Sequence, residues 1–465
     1  MTHRMTQFMT ATALAGLAVF LGLVQALLPA AGAHALSGVG HGPGYLSADG
    51  WWLGTYRLDD GSQGFCLNAG KQSPTGHTLD YVDGSTLGWF TTEQAARLAY
   101  VSRTWAGTDD RLTAAAGQIA TWMIAGLNGH TAESYAARAG ADAGAVLARA
   151  TAMADEAARL ATTAVRAEAV VELAETGPGR VRVEVTVDRL GGSELLPAAA
   201  HQATVRLDGA HFADGGATAV VDTGRDIPIE PDGTESSVNV TATATLEALP
   251  YGGGLRVAVP RQDAQSLLMA VPASATARAG ASVSGPSPLP FQPRVETQTS
   301  TAVAAPGEQI TDRLTVSVDA GDGLLPTWGV RATDDGFAPI EAVVESSLLG
   351  PFAEPIARSV EVPQDAPIVC SVETVVSGAG EYETPPCVLA DAGHYVWVER
   401  IDPARTAPEG GGARLKPWRS EFGVASEITT AVAAPSAAPA APAATAPVVP
   451  VALAQTGAGA GGLHS

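Results

Sequence analysis

Three cysteines, Cys66, Cys370 and Cys387, carry the strongest nucleophiles in the 465-residue sequence. Cys370 and Cys387 flank a short segment with Gly378, Gly380 and Tyr382. Joined, they would close a local loop worth about 3 kcal/mol by chain entropy. Cys66 lies far from both and is left over, and an odd cysteine is either a small buried hydrophobe or a reactive thiol. Among other chemistry-bearing groups, Asp109-Asp110 and Asp334-Asp335 read as solvated turns rather than a paired-carboxylate site. Asn239-Val240-Thr241 is a glycosylation sequon that reads as strand. Trp51-Trp52 would stack on a sugar ring or pack in a core, and packing is favoured. There is no Ser-His-Asp signature, no cluster of metal ligands and no phosphate loop, so neither a metal nor a cofactor is expected.

Composition bounds what these groups can serve. At roughly 150 residues per domain the length predicts about three domains. Hydrophobic residues make up 46% and the formal net charge is -21. An acidic chain lacks the cationic footprint of a nucleic-acid binder and is repelled by anionic lipid. The amino terminus carries Arg4, an apolar run from Ala11 to Leu28, and Ala33-His34-Ala35. These are the parts of a secretory signal peptide over 1–35, cleaved after Ala35, with a retained membrane anchor as the weaker alternative. Secretion places the thiols in an oxidising compartment and limits the membrane to a transient role.

The elements that must position Cys66 lie in 36–177. Short strands are expected around Trp51–Tyr56 and Gly64–Leu67. Thr91-Thr92-Glu93-Gln94 is a capping box that opens a helix. A second helix starts after Thr108-Asp109, runs through Gln118 and Trp122 and stops near Gly126. A third, Ala-rich stretch runs from Thr131 to about Glu172. From 178 to 283 the period switches to two: Val181, Val183, Val185 and Val187, then Val238, Val240, Ala242, Ala244 and Leu246, then Leu255, Val257 and Val259. Strict alternation predicts a β-sandwich. Residues 284–293 read as a stiff Pro-rich linker. A second all-β segment occupies 294–430, where Tyr395, Trp397 and Glu399 alternate with Val396 and Val398. An Ala/Pro-rich tail, 431–465, cannot build a core.

In this order the chain resembles actinobacterial cell-surface proteins with a thioester domain of the TQxA type, Ig-like stalk domains and a sortase signal. Gly64-Phe65-Cys66-Leu67 resembles the family's cysteine strand. Gly117-Gln118-Ile119-Ala120-Thr121-Trp122 resembles its T-Q-x-A-x-W helix, with Gly117 in place of Thr and Thr121 in place of an apolar residue. Thr301–Asp312, Gly350-Pro351-Phe352 and Gly393–Glu399 resemble its stalk domains. The resemblance implies a multidomain chain: an α+β thioester-like domain, two all-β Ig-like sandwich domains and a disordered tail.

It also implies an internal thioester between Cys66 and Gln118. The sulfur attacks the carboxamide carbon, ammonia leaves, and the activated acyl group waits for a target amine, a protein lysine in this family. Such a protein reacts once and is not a turnover enzyme. Contact would give the pair an effective molarity reaching about 10⁵–10⁸ M, but a donor to the oxyanion and a proton for the ammonia are also needed. His77, Tyr81, His130 and Tyr135 are candidates. Trp122, four residues from Gln118 and on its helix face, and Phe65 would shield the bond from water. The plain alternative makes Trp122 core and Gln118 a surface amide, in a non-reactive stalk protein of the cell wall; a secreted hydrolase is a distant third. Lys71, close to Cys66, is a possible internal competitor. With lysine only at Lys71 and Lys416, a Lys–Asn or Lys–Asp isopeptide bond in the stalk is not expected, and a Cys370–Cys387 disulfide takes its place.

Leu453-Ala454-Gln455-Thr456-Gly457 resembles the LAxTG form of the signal that sortase cleaves to join a protein to peptidoglycan. Such a signal needs an apolar span of about 20 residues behind it. Only Ala458 to Ser465 follow, so the chain as written is expected in the medium rather than on the wall.

Overall fold

A computed structural model describes residues 35–270 and 274–433. The expected leader and the LAQTG motif lie outside the described residues. The described chain is predominantly β with four α-helices. No helix among these residues is long and apolar enough to cross a membrane.

The first unit opens with β1 (Ala35–Leu46), β2 (Trp52–Leu58), β3 (Gln63–Cys66) and β4 (Thr78–Asp83). Helices α1 (Thr92–Trp105), α2 (Arg111–Ala125), α3 (Ala132–Ala136) and α4 (Ala143–Leu160) follow. Thr91 and Gln94 make the capping box that opens α1. The cap of α2 is Asp110, one residue later than expected, because its carboxylate accepts from the Thr113 N–H while Thr108 accepts from Asp110. Helix α2 is buried around almost its whole circumference, between the strands on one side and the other helices on the other. Ala114, Ala115, Ala116, Gly117 and Ala120 make that burial possible, since small side chains let neighbours approach from every direction.

Several expected boundaries need correction. The Ala-rich stretch does not stay helical to Glu172: α4 ends at Leu160 and β5 (Thr162–Glu172) begins. Val165, Ala167, Ala169 and Val171 alternate inward, a period-two pattern that the local alanine content hides. Strands β6 (Gly179–Arg189), β7 (Gly192–Leu195), β8 (Gln202–Asp208), β9 (Ala210–Phe212), β10 (Thr218–Asp222), β11 (Ile227–Pro231) and β12 (Ser237–Leu249) follow. Then β13 (Arg256–Pro260) and β14 (Leu267–Met269) leave this unit, and β15 (Ala275–Pro286) returns to pair with β12. The alternating Leu255, Val257 and Val259 therefore do not belong to the sandwich. β13 pairs with β4 and β14 with β3, closing a barrel in the order β1-β2-β3-β14-β13-β4. The second unit is an excursion from the first, not a domain that follows 36–177. Its sheets, β5-β6-β11-β9 (with β7 on β6) and β10-β8-β12-β15, enclose one core of Val181, Val183, Val185, Val187, Val240 and Leu246 among others.

The segment 284–293 is not a free linker. Phe291 is fully buried, and its N–H and C=O bond to Arg414 and Lys416 of the third unit. That unit comprises β16 (Gln292–Thr299), β17 (Val303–Ala304), β18 (Gln309–Ile310), β19 (Asp312–Asp319), β20 (Val330–Thr333), β21 (Gly336–Pro339), β22 (Ala342–Phe352), β23 (Ile368–Val376), β24 (Gly380–Glu383), β25 (Cys387–Val388), β26 (Gly393–Ile401), β27 (Trp418–Arg419) and β28 (Ile428–Ala431). Because β28 runs through the buried Ala431, the tail begins later than 431. Its main sheets are β16-β19-β24 and β17-β28-β26-β22-β23. Strand β26 is central and buried on both faces: Tyr395 and Trp397 on one, Val396 against Leu349 and Phe422 on the other.

Cys370 on β23 and Cys387 on β25 form a disulfide, with Cα atoms 6.2 Å apart. It ties an edge strand to the two-stranded β18-β25 pair. Replacing both cysteines by serine is expected to cost about 3 kcal/mol, read as an earlier unfolding transition of the third unit in a thermal melt. An unchanged melt would mean that the edge strands do not limit its stability.

Candidate functional site

Cys66 ends β3, and Gln118 sits in the middle of α2. Phe65, one residue before the cysteine, faces Gly117, one residue before the glutamine. A Cβ at position 117 would lie 2.4 Å from Phe65 Cζ. The absent side chain is thus a notch that seats the Phe65 ring, and seating it brings the next residues of strand and helix together. This explains the departure from Thr at Gly117. Thr121 departs from an apolar residue for a local reason: it is fully buried, and its hydroxyl donates to the Gly117 carbonyl at 2.8 Å.

Cys66 and Gln118 meet through two hydrogen bonds. The Cys66 N–H donates to Gln118 Oε1 at 2.8 Å, and Gln118 Nε2 donates to the Cys66 carbonyl at 2.8 Å. The carboxamide is held flat against the backbone of the residue that carries the thiol. Both residues are only 1% exposed, so Gln118 is not a surface amide. Burial pushes the Cys66 thiol well above its ordinary range, which leaves it un-ionised at neutral pH. The donor to Gln118 Oε1 is a backbone group, the Cys66 N–H, and not one of the side chains considered in the sequence. Main-chain donors leave no mark on residue identity.

The four candidate proton groups fare differently. Tyr81 bonds to Ser62 and Asp60 on the barrel surface, and His77 lies on the loop before β4. Tyr135 is buried beside Trp122, with ring centroids 4.6 Å apart, and donates to the Leu127 carbonyl. His130 stands edge-on to Tyr135. Trp122 is nearly fully buried one turn beyond Gln118, and its indole N–H has no hydrogen-bond partner among the described residues.

Sequence reasoning missed three residues. Burial and the nearby Cys66 push the Tyr56 phenol up to about 12. His41 stacks on Trp52 at 4.2 Å and meets Tyr56 edge-on at 5.3 Å; burial lowers its imidazole pKa and favours the neutral form. Arg138 lies over Tyr135 at 4.8 Å and over Trp51 at 5.3 Å. Trp51 is exposed, contrary to the core role expected for it, and only Trp52 is partly buried. Lys71 is not aimed at the pair. Its ammonium reaches Asp263 at 2.8 Å in solvent, on the β13–β14 loop.

The Phe65 notch predicts that Gly117→Thr destabilises the barrel. Removing a helical glycine gains up to about 1 kcal/mol, but overpacking a closed core costs about 1–3. The expected net loss is about 1–2 kcal/mol by chemical denaturation. Phe65→Leu in the same chain should recover part of it, and additive losses would show that the two side chains do not meet.

No protein-family model matches the chain, and no curated protein matches it. Among solved structures, the Bacillus anthracis TIE protein is similar at 10% identity over 86% of this chain and 81% of that one, with a TM-score of 0.38. The thioester domain of the Staphylococcus aureus TIE protein is similar at 13% identity, covering 53% of this chain and 98% of that one, with a TM-score of 0.26. A pilus-presented adhesin, Cpa, follows at 8% identity, 52% and 76% coverage, and a TM-score of 0.20. Scores this low carry no weight of their own, so the functional conclusion rests on the geometry of Cys66 and Gln118.

Proposed function

We propose that the chain is a secreted, cell-surface adhesin-like protein that attaches covalently to target amines through an internal Cys66–Gln118 thioester. The observation that carries this is the two-point pairing of the Gln118 carboxamide with the Cys66 backbone in a buried pocket between strand and helix. The Cys66 N–H polarises Oε1 and would hold the oxyanion as the sulfur adds to Cδ. The C–S bond forms, the C–N bond breaks and ammonia leaves with the thiol proton. Tyr56, whose phenol burial keeps protonated, and His41 beside it are the groups suited to pass that proton. Phe65 and Trp122 keep water from the acyl group. Arg138, Trp51 and Tyr135 form the rim that an incoming lysine would cross. One amine consumes the bond, so the protein does not turn over. The units beyond the barrel serve as Ig-like stalk, and LAQTG as the sortase signal for linkage to peptidoglycan.

A second reading follows from the burial of Cys66: the pair simply pins α2 to β3, and the chain is a passive stalk. A biotinylated primary amine offered to the folded protein separates the two. Stoichiometric labelling at Gln118, abolished by Cys66→Ala, supports the adhesin. Failure to label, with free Cys66 recovered after unfolding, leaves the passive stalk.

A further inference from the structure

The first unit carries a cation beside the Cys66–Gln118 pair that the fold does not neutralise. Arg138 lies on the short 3-10 helix Ala137–Asp142, between α3 and α4. Its guanidinium sits over the Tyr135 ring at 4.8 Å and over the Trp51 ring at 5.3 Å, so two aromatic faces hold it in place. Its hydrogen bond is a long one, from Nη1 to the Trp52 carbonyl at 3.5 Å. Nε and Nη2 have no partner among the described residues, and neither is sealed from solvent. The groups that act on its charge are two phenols, Tyr135 and Tyr56, and no carboxylate is among them. Burial raises both phenols, so neither supplies a counter-charge near neutral pH.

Arg111, against the same β1–β2 hairpin, makes the contrast. It too lies over an aromatic ring, Tyr45 at 4.8 Å. However, it reaches Asp142 at 2.9 Å, and the Tyr45 hydroxyl donates to the same carboxylate at 2.8 Å. That arginine is satisfied within the chain, and Arg138 is not.

Arg138 also stands on the route to the reacting atoms. Tyr135 packs on Trp122 with ring centroids 4.6 Å apart, and Trp122 is one turn beyond Gln118 on α2. On the other side, Tyr56 is within electrostatic reach of both Arg138 and Cys66. A positive charge in this position repels a lysine ammonium that arrives alone.

We infer that Arg138 selects the target by receiving a carboxylate that lies beside the lysine to be captured. A guanidinium stacked on aromatic faces keeps its edges free, and such an edge matches a carboxylate through two parallel N–H···O bonds. The unpartnered Nε and Nη2 form one such edge. The incoming acid supplies the counter-charge that a half-buried cation lacks. Trp51, 58% exposed, offers an apolar face to the methylene stem of the lysine. A lysine without an acidic neighbour meets only the repulsion, so one residue both favours the right target and rejects the wrong one. With a net charge of -21 the chain repels broadly acidic surfaces, so the recognition is local. The substrate class is a protein surface on which a lysine and an Asp or Glu are immediate neighbours. Capture of that lysine rests on the proposed thioester, whereas docking of the carboxylate is a property of Arg138.

Capture rates of the full secreted chain test the inference. The probes are fluorescein-labelled peptides with a blocked amino terminus and a single lysine, carrying Glu at one flanking position in turn or Gln at all of them. The best Glu peptide is expected to react about tenfold faster than the all-Gln peptide, in line with a charge-assisted hydrogen bond at a half-buried site. High salt should shrink that advantage, and Arg138→Gln should remove it. The Cys66→Ala chain, which cannot form the thioester, should bind the same peptides reversibly in the same order, read by fluorescence anisotropy. Absence of capture together with a Glu preference in anisotropy would refute the thioester and support the Arg138 site. Equal behaviour of Glu and Gln peptides in both assays, or a Glu preference that survives Arg138→Gln, would overturn the inference. The peptide comparison on the wild-type chain needs no variant, so a variant that fails to fold cannot mask the result.

Discussion

Gln118→Ala is expected to abolish amine capture and to weaken the barrel by about 2–5 kcal/mol. Both effects have one source. In the proposed reaction the carboxamide is the electrophile, and in the fold it is the helix's hydrogen-bond partner for the Cys66 N–H and C=O. Its removal strands both groups where water cannot reach, at about 1–3 kcal/mol for each buried unsatisfied group, and leaves a cavity. Cys66→Ser separates chemistry from structure. It retains the backbone groups that bind Gln118, so its stability should fall by no more than about 1–2 kcal/mol while capture still disappears. Denaturant unfolding and amine labelling on the same samples check the pair. Equal stability losses for the two variants would mean that the side-chain sulfur, not the two-point bond, holds α2 to β3.

The third unit should lose stability as pH rises, the reverse of the usual behaviour of carboxylates. Burial raises Asp312 to about 7 and Glu427 to about 7, and lifts Glu399 well above its ordinary value, with the neighbouring carboxyls adding to the rise for Glu399 and Glu427. No cation is among the groups that shift them. An acid whose pKa is higher folded than unfolded binds more protons in the folded state. Its contribution is complete below the unfolded pKa near 4 and is lost as pH climbs through the folded value. Between about pH 4 and pH 8 Asp312 and Glu427 can each remove roughly 3–4 kcal/mol, and Glu399 adds in the same direction. Hydrogen exchange of the β26 amides, corrected for intrinsic rates, should show protection falling steadily from pH 5 to pH 8. Protection that rises over that interval would mean that the three acids are paired or solvated.

Local patterns made much of this legible. The Val181–Val187 alternation marked a buried strand face, and the Thr91–Gln94 box marked a helix start that forms as written. The same period-two set of Tyr395, Trp397 and Glu399 already placed an acid on a buried face, a signal that the apolar neighbours obscured. What local pattern could not show was long-range pairing. β3 finds β14 across two hundred residues because the chain leaves the barrel, builds a second unit and comes back, and nothing in Leu267–Met269 announces its partner. Cys66 and Gln118 were recognisable as a candidate pair only through the resemblance of their two motifs to those of thioester domains. Their meeting depended on the Phe65–Gly117 notch, which reads in sequence only as a missing threonine.

The mass of the mature chain, taken under native, non-reducing conditions and resolved by peptide mapping, tests the thioester most directly. The expected species is lighter by one ammonia at Cys66 and Gln118. Incubation with methylamine should then free the thiol and leave N-methylglutamine at position 118. An unmodified Gln118, together with complete alkylation of Cys66 on unfolding, would contradict the thioester.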